Sequence, residues 1–379
     1  MKSIKKWVWQ SPEYPGFPFV RSELETLLVQ TARDTGILEG TIRAFDEKYR
    51  ESLQIDAATE EVLSSSEIEG EILQRDSVRS SVLKKLANSS GLRNDRSTRH
   101  TDGLVDVLID SSFNHAPLNA ERLHGWHNAL FPTGYSGLAR IRVAAWRREE
   151  MSVVSGAGFK EKVHYQAPPP DRIEEEMIRF FDFVNHTDAN PYVKSAVAHL
   201  WFVIIHPYDD GNGRIARAIA NYVLAKELGL NHHYFSISSA VMEEKKRYYE
   251  ILEKSNNLFY NRRYDFTPWV RWHTEMIRRA VEHALEIIRT VVKKAKFWEK
   301  AAKLPLNEKQ IKVLNKLLDA GEGNFKGGLT NKKYQSITGV TQVTASRHIR
   351  DLVKKGLLRE MEGFGGRSTR YEVAWEEEA

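Results

Sequence analysis

The sequence predicts a mainly α protein of two or three domains, and three observations carry that expectation. Its 379 residues are more than one hydrophobic core usually serves. Long segments repeat apolar residues at helical spacing, with good helix formers between them. Strand-like runs are few, short and bounded by glycine or proline.

The first part, residues 1–90, begins with Trp7, Trp9, Tyr14, Pro15, Phe17, Pro18 and Phe19. That composition predicts an extended segment laid across another surface as core cover. A helical stretch runs from about Asp56 to Gly70, and the polar residues Asn88 to His100 read as a loop. The second part, 101–290, opens with an amphipathic helix over Leu118–Phe131, for which Asn119 is a suitable cap. Strand-like runs follow at Arg142–Trp146, Met151–Val154 and Val163–Gln166, with Ser155-Gly156-Ala157-Gly158 between the last two and Pro168-Pro169-Pro170 closing the group. Val193–Ile205 reads as a buried helix delivering His206 at its end, and Arg214–Leu228 as the next helix. His232-His233 has no obvious metal partners and reads as a surface loop, whereas Tyr248, Tyr249 and Asn256 fall on a further helix. In the third part, 305–375, Asn307 caps a helix to Leu318, Thr330 starts a second, and Thr341 starts a third after a Gly339-Val340 turn. Leu357–Glu362 and Thr369–Val373 then pair around Gly363-Phe364-Gly365-Gly366 as a hairpin. Three helices and a hairpin make a winged helix-turn-helix.

Composition narrows the setting. A hydrophobic fraction of 41% and a charged fraction of 28% are those of an ordinary globular chain. Without cysteine there is neither a disulfide nor a thiol nucleophile, which agrees with a reducing compartment. The N-terminus has no apolar signal region, and the apolar stretch at Ala196–Ile205, interrupted by His199, is far shorter than a membrane span. A cytoplasmic protein with no membrane partner is the expectation.

The chemistry concentrates in His206-Pro207-Tyr208-Asp209-Asp210-Gly211-Asn212-Gly213-Arg214-Ile215-Ala216-Arg217. Gly211, Asn212 and Gly213 can turn consecutive amide N–H groups toward one anion, at a helix N-terminus that itself favours phosphate. Arg214 and Arg217, three apart, share one helical face and can hold successive phosphates. Asp210 suits Mg²⁺, a hard ion that takes one or two carboxylates plus phosphate oxygens. His206 can accept a hydroxyl proton at neutral pH. No other loop has Walker spacing, and no H-E-x-x-H zinc pattern occurs.

This run resembles the core motif of Fic-domain proteins, His-Pro-Phe-x-Asp/Glu-Gly-Asn-Gly-Arg-x-x-Arg, with Tyr208 in place of Phe. The resemblance implies a Fic-type helical core with a β-hairpin flap that docks a target segment. The implied activity is transfer of AMP from ATP to a Tyr, Thr or Ser hydroxyl of a target protein, possibly of the same chain. His206 would be the general base and Asp210 the Mg²⁺ ligand. Gly211, Asn212 and Gly213 would hold the α- and β-phosphates, with Arg214 on phosphate and Arg217 reaching the γ-phosphate. The adenine pocket would involve Tyr249 and Asn256. Ser65-Ser66-Glu67-Ile68-Glu69-Gly70 resembles the family's inhibitory pattern, Ser/Thr-x-x-x-Glu-Gly/Asn, and implies that Glu69, with Ser65, holds Arg217 away from ATP. Relatives also use such a glutamate in removing AMP, so AMP removal, or transfer of another nucleotide or phosphate group, is an alternative. Ser64–Leu86 resembles a small domain often found ahead of Fic domains.

A second alternative comes from the third part. The chain is net +5, and this segment is rich in Lys and Arg. Arg347 and Arg350, with Gln342 and Ser346, fall on the recognition face, which would make the protein a DNA-binding regulator with a nucleotide-sensing Fic domain. A homodimer is among the compatible assemblies, and Glu376–Glu378 reads as a solvated tail.

Overall fold

The computed structural model describes residues 5–86, 95–155, 162–230, 233–320, 325–364 and 369–375. The chain divides into two compact units, Met1–Ala284 and Leu285–Ala379. The first begins with α1 (Glu25–Arg43), α2 (Glu47–Ile68), α3 (Arg75–Leu86), α4 (Arg99–Phe113) and α5 (Ala120–Leu130). Two small antiparallel pairs follow, β1 (Tyr135–Ser136) with β2 (Ala139–Arg140) and β3 (Ser152–Ser155) with β4 (Lys162–Gln166). Then come α6 (Ile173–His186), α7 (Pro191–Ile205), α8 (Asn212–Leu228), α9 (Ile237–Glu243), α10 (Lys245–Asn256) and α11 (Thr267–Ala301), whose last residues belong to the second unit. The mainly α class expected from sequence is the one observed.

α7 is apolar on nearly every face and is buried, so it forms the axis of this unit. Asn190 caps it with Pro191 at its first turn, and it packs along α8, where Ser195 Oγ donates to Ala220 O at 3.0 Å. α2 and α3 lie on α4, α8 and α9, so residues 7–82 share one hydrophobic core with the rest of the unit. The segment 1–90 shares this core because α2 packs on α8 and α9 and α3 packs on α2 and α4. Its aromatic start does serve as cover. Trp7 packs edge-on to Tyr165, Trp9 Nε1 donates to Gln166 O at 2.8 Å, and Trp201 Nε1 donates to the Tyr14 hydroxyl at 2.9 Å.

Several elements differ from expectation. The helix expected from Asp56 begins at Glu47, capped by Asp46, which accepts from Tyr49 N at 2.8 Å. Residues 142–146 are not a strand, because their backbone turns to the motif loop instead of a neighbouring strand. Arg142 N donates to Asp209 Oδ2 at 2.8 Å and Ala144 N to His127 Nδ1 at 3.1 Å. His233 is buried rather than on a surface loop, with Nδ1 3.4 Å from Ser112 Oγ, and burial pushes its pKa down. Of the segments named from sequence, residues 88–94, 156–158, 232, 365–366 and 376–378 lie outside the described residues. As expected, Asn119 caps α5 by accepting from Arg122 N at 2.9 Å, and β3 with β4 forms the hairpin.

The second unit contains α12 (Glu308–Ala320), α13 (Asn331–Thr338), α14 (Gln342–Lys354) and the antiparallel pair β5 (Leu358–Glu360) with β6 (Tyr371–Val373). Asn307, Thr330 and Thr341 cap the three helices as the sequence suggests, and Gly339 takes φ +72° at the end of α13. Its own core joins Val313, Leu317, Tyr334, Ile349, Leu352 and Leu358.

Candidate active site

His206 closes α7 in the left-handed region, at φ +50°, which turns the chain out of the helix. Its Nδ1 lies 3.2 Å from Val203 O. A carbonyl only accepts, so Nδ1 carries the proton and Nε2 keeps a free lone pair. Burial pushes the imidazole down to about 4 and keeps it neutral at physiological pH.

The loop behind it is stapled from within. Asn212 Oδ1 accepts from Tyr208 N at 3.0 Å, and its Nδ2 donates to Tyr208 O at 2.8 Å. That side chain is thus committed to the loop, which leaves its backbone N–H for an anion. Tyr208 is fully buried, stacks on His127 at 4.1 Å, and its hydroxyl meets His124 Nδ1 at 3.0 Å. The hydroxyl that distinguishes Tyr from Phe therefore has a partner. His127 accepts from Ala144 N at Nδ1, so its Nε2 donates to Asp210 O at 3.1 Å.

Gly211 caps α8 at φ +81°, and a Cβ there would come within 2.7 Å of the Phe131 ring. Ile215 N makes the first bond back, to Gly211 O at 3.0 Å. The N–H groups of Asn212, Gly213 and Arg214 precede it, in the orphan first turn where an anion binds. The Glu69 carboxylate lies beside this turn, since a Cβ on Gly213 would lie 2.2 Å from Glu69 Oε1.

Glu69 sits at the C-cap of α2, where Gly70 at φ +85° ends the helix. Arg217, 3% exposed, donates from Nη1 to Glu69 Oε1 at 2.8 Å, from Nε to Ser65 Oγ at 3.0 Å and from Nη2 to Ser65 O at 2.7 Å. Burial opposes its charge and the Glu69 carboxylate outweighs that, which leaves its pKa above the usual value. Arg214 is held too. Its Nη1 donates to Glu71 Oε2 at 3.0 Å, while Glu71 Oε1 meets His100 Nε2 at 2.6 Å. The His100 bond, first among its partners, holds the Glu71 carboxyl below its ordinary pKa.

Asp210 Oδ1 accepts from Gly211 N at 2.6 Å, and Oδ2 is bonded by the Ser136 hydroxyl. Among the described residues no three His, Asp or Glu side chains gather as a metal cage. A single carboxylate beside an anion cradle fits Mg²⁺ shared with phosphate oxygens. Tyr249 lies beside the Glu69–Arg217 pair, its hydroxyl donating to Ile68 O at 2.9 Å at the end of α2. Asn256 is buried with Oδ1 unpartnered, and no described contact joins it to the Glu69 cluster.

Residues 117–224 match the model of the Fic/DOC family. The chain carries a Fic domain. Residues 7–87 match a second model, described as a domain of unknown function. A probable protein adenylyltransferase of Aquifex aeolicus is 28% identical over 193 residues, 47% of this chain and 53% of that one. A uridine 5′-monophosphate transferase of Xanthomonas campestris is 31% identical over 67 residues, 16% of this chain and 12% of that one. The chain spans about half the length of the first relative and far less of the second. A solved Fic family protein from Desulfovibrio desulfuricans shares the fold with TM-score 0.51 at 17% identity, over 97% of this chain and 100% of that one.

Within the Fic domain and its N-terminal cover, sequence reasoning missed four partners. Glu71 and His100 hold Arg214, and His127 holds the loop. Glu61, 4% exposed, accepts from Ser236 Oγ at 2.7 Å, Ser238 N at 3.0 Å and Asn221 Nδ2 at 3.2 Å, as well as from the Ser238 hydroxyl. It therefore anchors the helix that carries Glu69 to α8 and α9. A Glu at an apolar position of the helical spacing is its only signal. Among the described residues no helix is long and apolar enough to cross a membrane.

Proposed function

We propose that this Fic domain transfers AMP from ATP to a hydroxyl of a target protein, and that the segment at the end of α2 holds it inactive. The observation that carries the reading is an internal carboxylate in an anion site. Glu69 lies beside Gly213 in the first turn of α8 and is bonded by the Arg217 guanidinium, next to where a polyphosphate would bind.

With Glu69 displaced, the N–H groups of 212–214, Arg214 and Arg217 bind the phosphates. Mg²⁺, held by Asp210, would neutralise phosphate charge. The exposed valines 153, 154 and 163 mark a hairpin with open edges, to which an extended target adds as a strand. His206 Nε2 takes the hydroxyl proton as the target oxygen bonds to the α-phosphorus and pyrophosphate leaves. Glu71 on Arg214 makes the restraint double, since each motif guanidinium has its own acid.

Label transfer in a cell lysate tests this, with Glu69→Gly protein supplied with Mg²⁺ and ATP labelled at the α- or γ-phosphate, or with α-labelled UTP. The expected result is incorporation from α-labelled ATP alone. Incorporation from γ-labelled ATP means phosphoryl transfer, preference for UTP means uridylyl transfer, and either sinks the AMP reading.

The rate should report the low pKa of His206. A general base works unprotonated, so its contribution is present above its pKa and lost as pH falls through it. Glu69 is one of the charges that raise this value, so the acid limb for Glu69→Gly is expected at or below about pH 4. A limb near pH 6.5, where an ordinary histidine titrates, would contradict a desolvated base.

A second reading rests on α14. Gln342, Arg347 and Arg350 are exposed there, Val343 is 81% exposed, and neither arginine pairs with a carboxylate among the described residues. Such a face suits the major groove of duplex DNA, as in a winged helix. Binding that weakens with salt, with the salt slope falling by about 1 for each of Arg347→Ala and Arg350→Ala, is expected. No binding at low salt would remove the reading.

A further inference from the structure

Arg147 is a buried cation with no carboxylate partner among the described residues. Its side chain ties both stems of the β3–β4 hairpin to the end of α7, where the Tyr165 hydroxyl also donates to Ile204 O at 2.6 Å. Arg147 is 2% exposed, and among the described residues every hydrogen bond of its side chain goes to a main-chain carbonyl. Nε donates to His206 O at 2.8 Å, Nη1 to Glu149 O at 2.8 Å, and Nη2 to Pro168 O at 2.5 Å and Ile205 O at 3.5 Å. Its own N–H donates to Pro207 O at 2.8 Å.

The placement has a physical logic. The carbonyls of Ile205 and His206 are orphans at the C-terminus of α7, where the helix dipole favours a cation. His206 is not a glycine, yet it adopts φ +50°, a conformation that persists only where its surroundings hold it. Glu149 precedes β3 and Pro168 follows β4, so the same planar fork grips both stems of the exposed hairpin. An apolar side chain could fill the space without the several kcal/mol that burying an unpaired charge costs. Only a guanidinium spans three chain segments at fixed angles.

We infer that Arg147 is a positioning residue, locking the peptide of His206 to the two stems of the β3–β4 hairpin so that base and target strand keep one geometry. This rests on the transfer reading above. It adds that the hairpin and the base act as one hydrogen-bonded piece, separate from the phosphate cradle at 211–217, which Arg147 does not touch.

The test uses Arg147→Met and Arg147→Lys in the Glu69→Gly full chain, with folding checked by thermal melts. Arg147→Met is expected to lower kcat about 10–100-fold, the scale of a small misplacement of a reacting group, with the Kd for ATP within about twofold. The acid limb of the rate should also move to higher pH. Burial is the main force holding His206 down, and the Arg147 charge adds to it against the Val203 carbonyl, Glu69 and Asp210. Removing that charge lets the base protonate sooner. Arg147→Lys keeps the charge and loses the fork, so its limb should stay while kcat falls about 3–10-fold. A folded Met variant with kcat and limb unchanged would overturn the inference, as would kcat and ATP affinity falling together in both variants. If the Met variant does not fold, Lys decides alone, and an unchanged kcat overturns it. If the Glu69→Gly parent transfers nothing, the transfer reading fails. The His206 ring followed by NMR then decides the local claim: a pKa raised by Met and not by Lys supports the lock, and an unmoved ring refutes it.

Discussion

Replacing His206 is expected to lower AMP transfer by about 10²–10⁴-fold, the usual contribution of a positioned general base. The effect should fall on kcat and not on ATP affinity, because the imidazole stands before the turn whose later residues form the anion site. Alanine alone is an ambiguous probe, since it also removes the side-chain bond to Val203 O that helps hold the left-handed turn at φ +50°. Asparagine removes the ambiguity. It tolerates left-handed backbone, and its side-chain amide can donate to Val203 O as Nδ1 does now, while offering no base. His206→Asn should therefore keep the fold and the Kd for ATP and be as inactive as His206→Ala. Retention of more than about a tenth of the parent rate in His206→Asn, measured in the Glu69→Gly background, would mean that another group takes the proton.

What could be read in the sequence and what could not divides along chain separation. His206, Asp210, the glycines and both arginines lie within twelve consecutive positions, so one helix end, one turn and one helix start fix their relation. Glu69 is legible because a short pattern marks it. Glu71 is two residues further on and holds Arg214 across 143 positions, a pairing set by how α2 and α4 lie on α8 and by nothing local. Arg147 and Glu61 are hidden for the same reason, as their partners are carbonyls and hydroxyls brought together only by packing. The run at 142–146 shows the opposite error. Its short apolar run reads as a strand, but the motif loop and His127 of α5 take its backbone hydrogen bonds first. His233 reads as surface from its polar neighbours, while the first unit closes over it. Large aromatic residues at the N-terminus announce burial by type, though not where they lie.

Removing the internal carboxylates should change ATP binding in steps. In Glu69→Gly the buried Arg217 keeps Ser65 and loses its acid. Breaking a buried pair costs about 3–5 kcal/mol. Here only part of that applies, because Glu69 is 32% exposed. The apo variant should therefore melt below wild type. ATP supplies phosphate oxygens where the carboxylate was, so ligand narrows the gap. At 100 times the variant's Kd, bound ATP adds about 2.7 kcal/mol to the variant and about 1.4 kcal/mol to a wild type that binds about tenfold more weakly. Charge-assisted hydrogen bonds are worth about 1.5–3 kcal/mol each, which sets the expected tightening at about tenfold or more, with transfer rising at least as far. Glu71→Gln alone should change little, because Glu69 still covers the cradle. Added to Glu69→Gly, it frees Arg214 and should tighten ATP several-fold further. Arg214 and Arg217 are one turn apart, so the two changes are expected to couple. Thermal shift against ATP–Mg²⁺ for the four proteins reads all of this. Equal ATP shifts in wild type and Glu69→Gly would mean that Glu69 does not occupy the phosphate site. Equal shifts in Glu69→Gly and the double variant would confine the restraint to Arg217 and leave Glu71 with a structural part only.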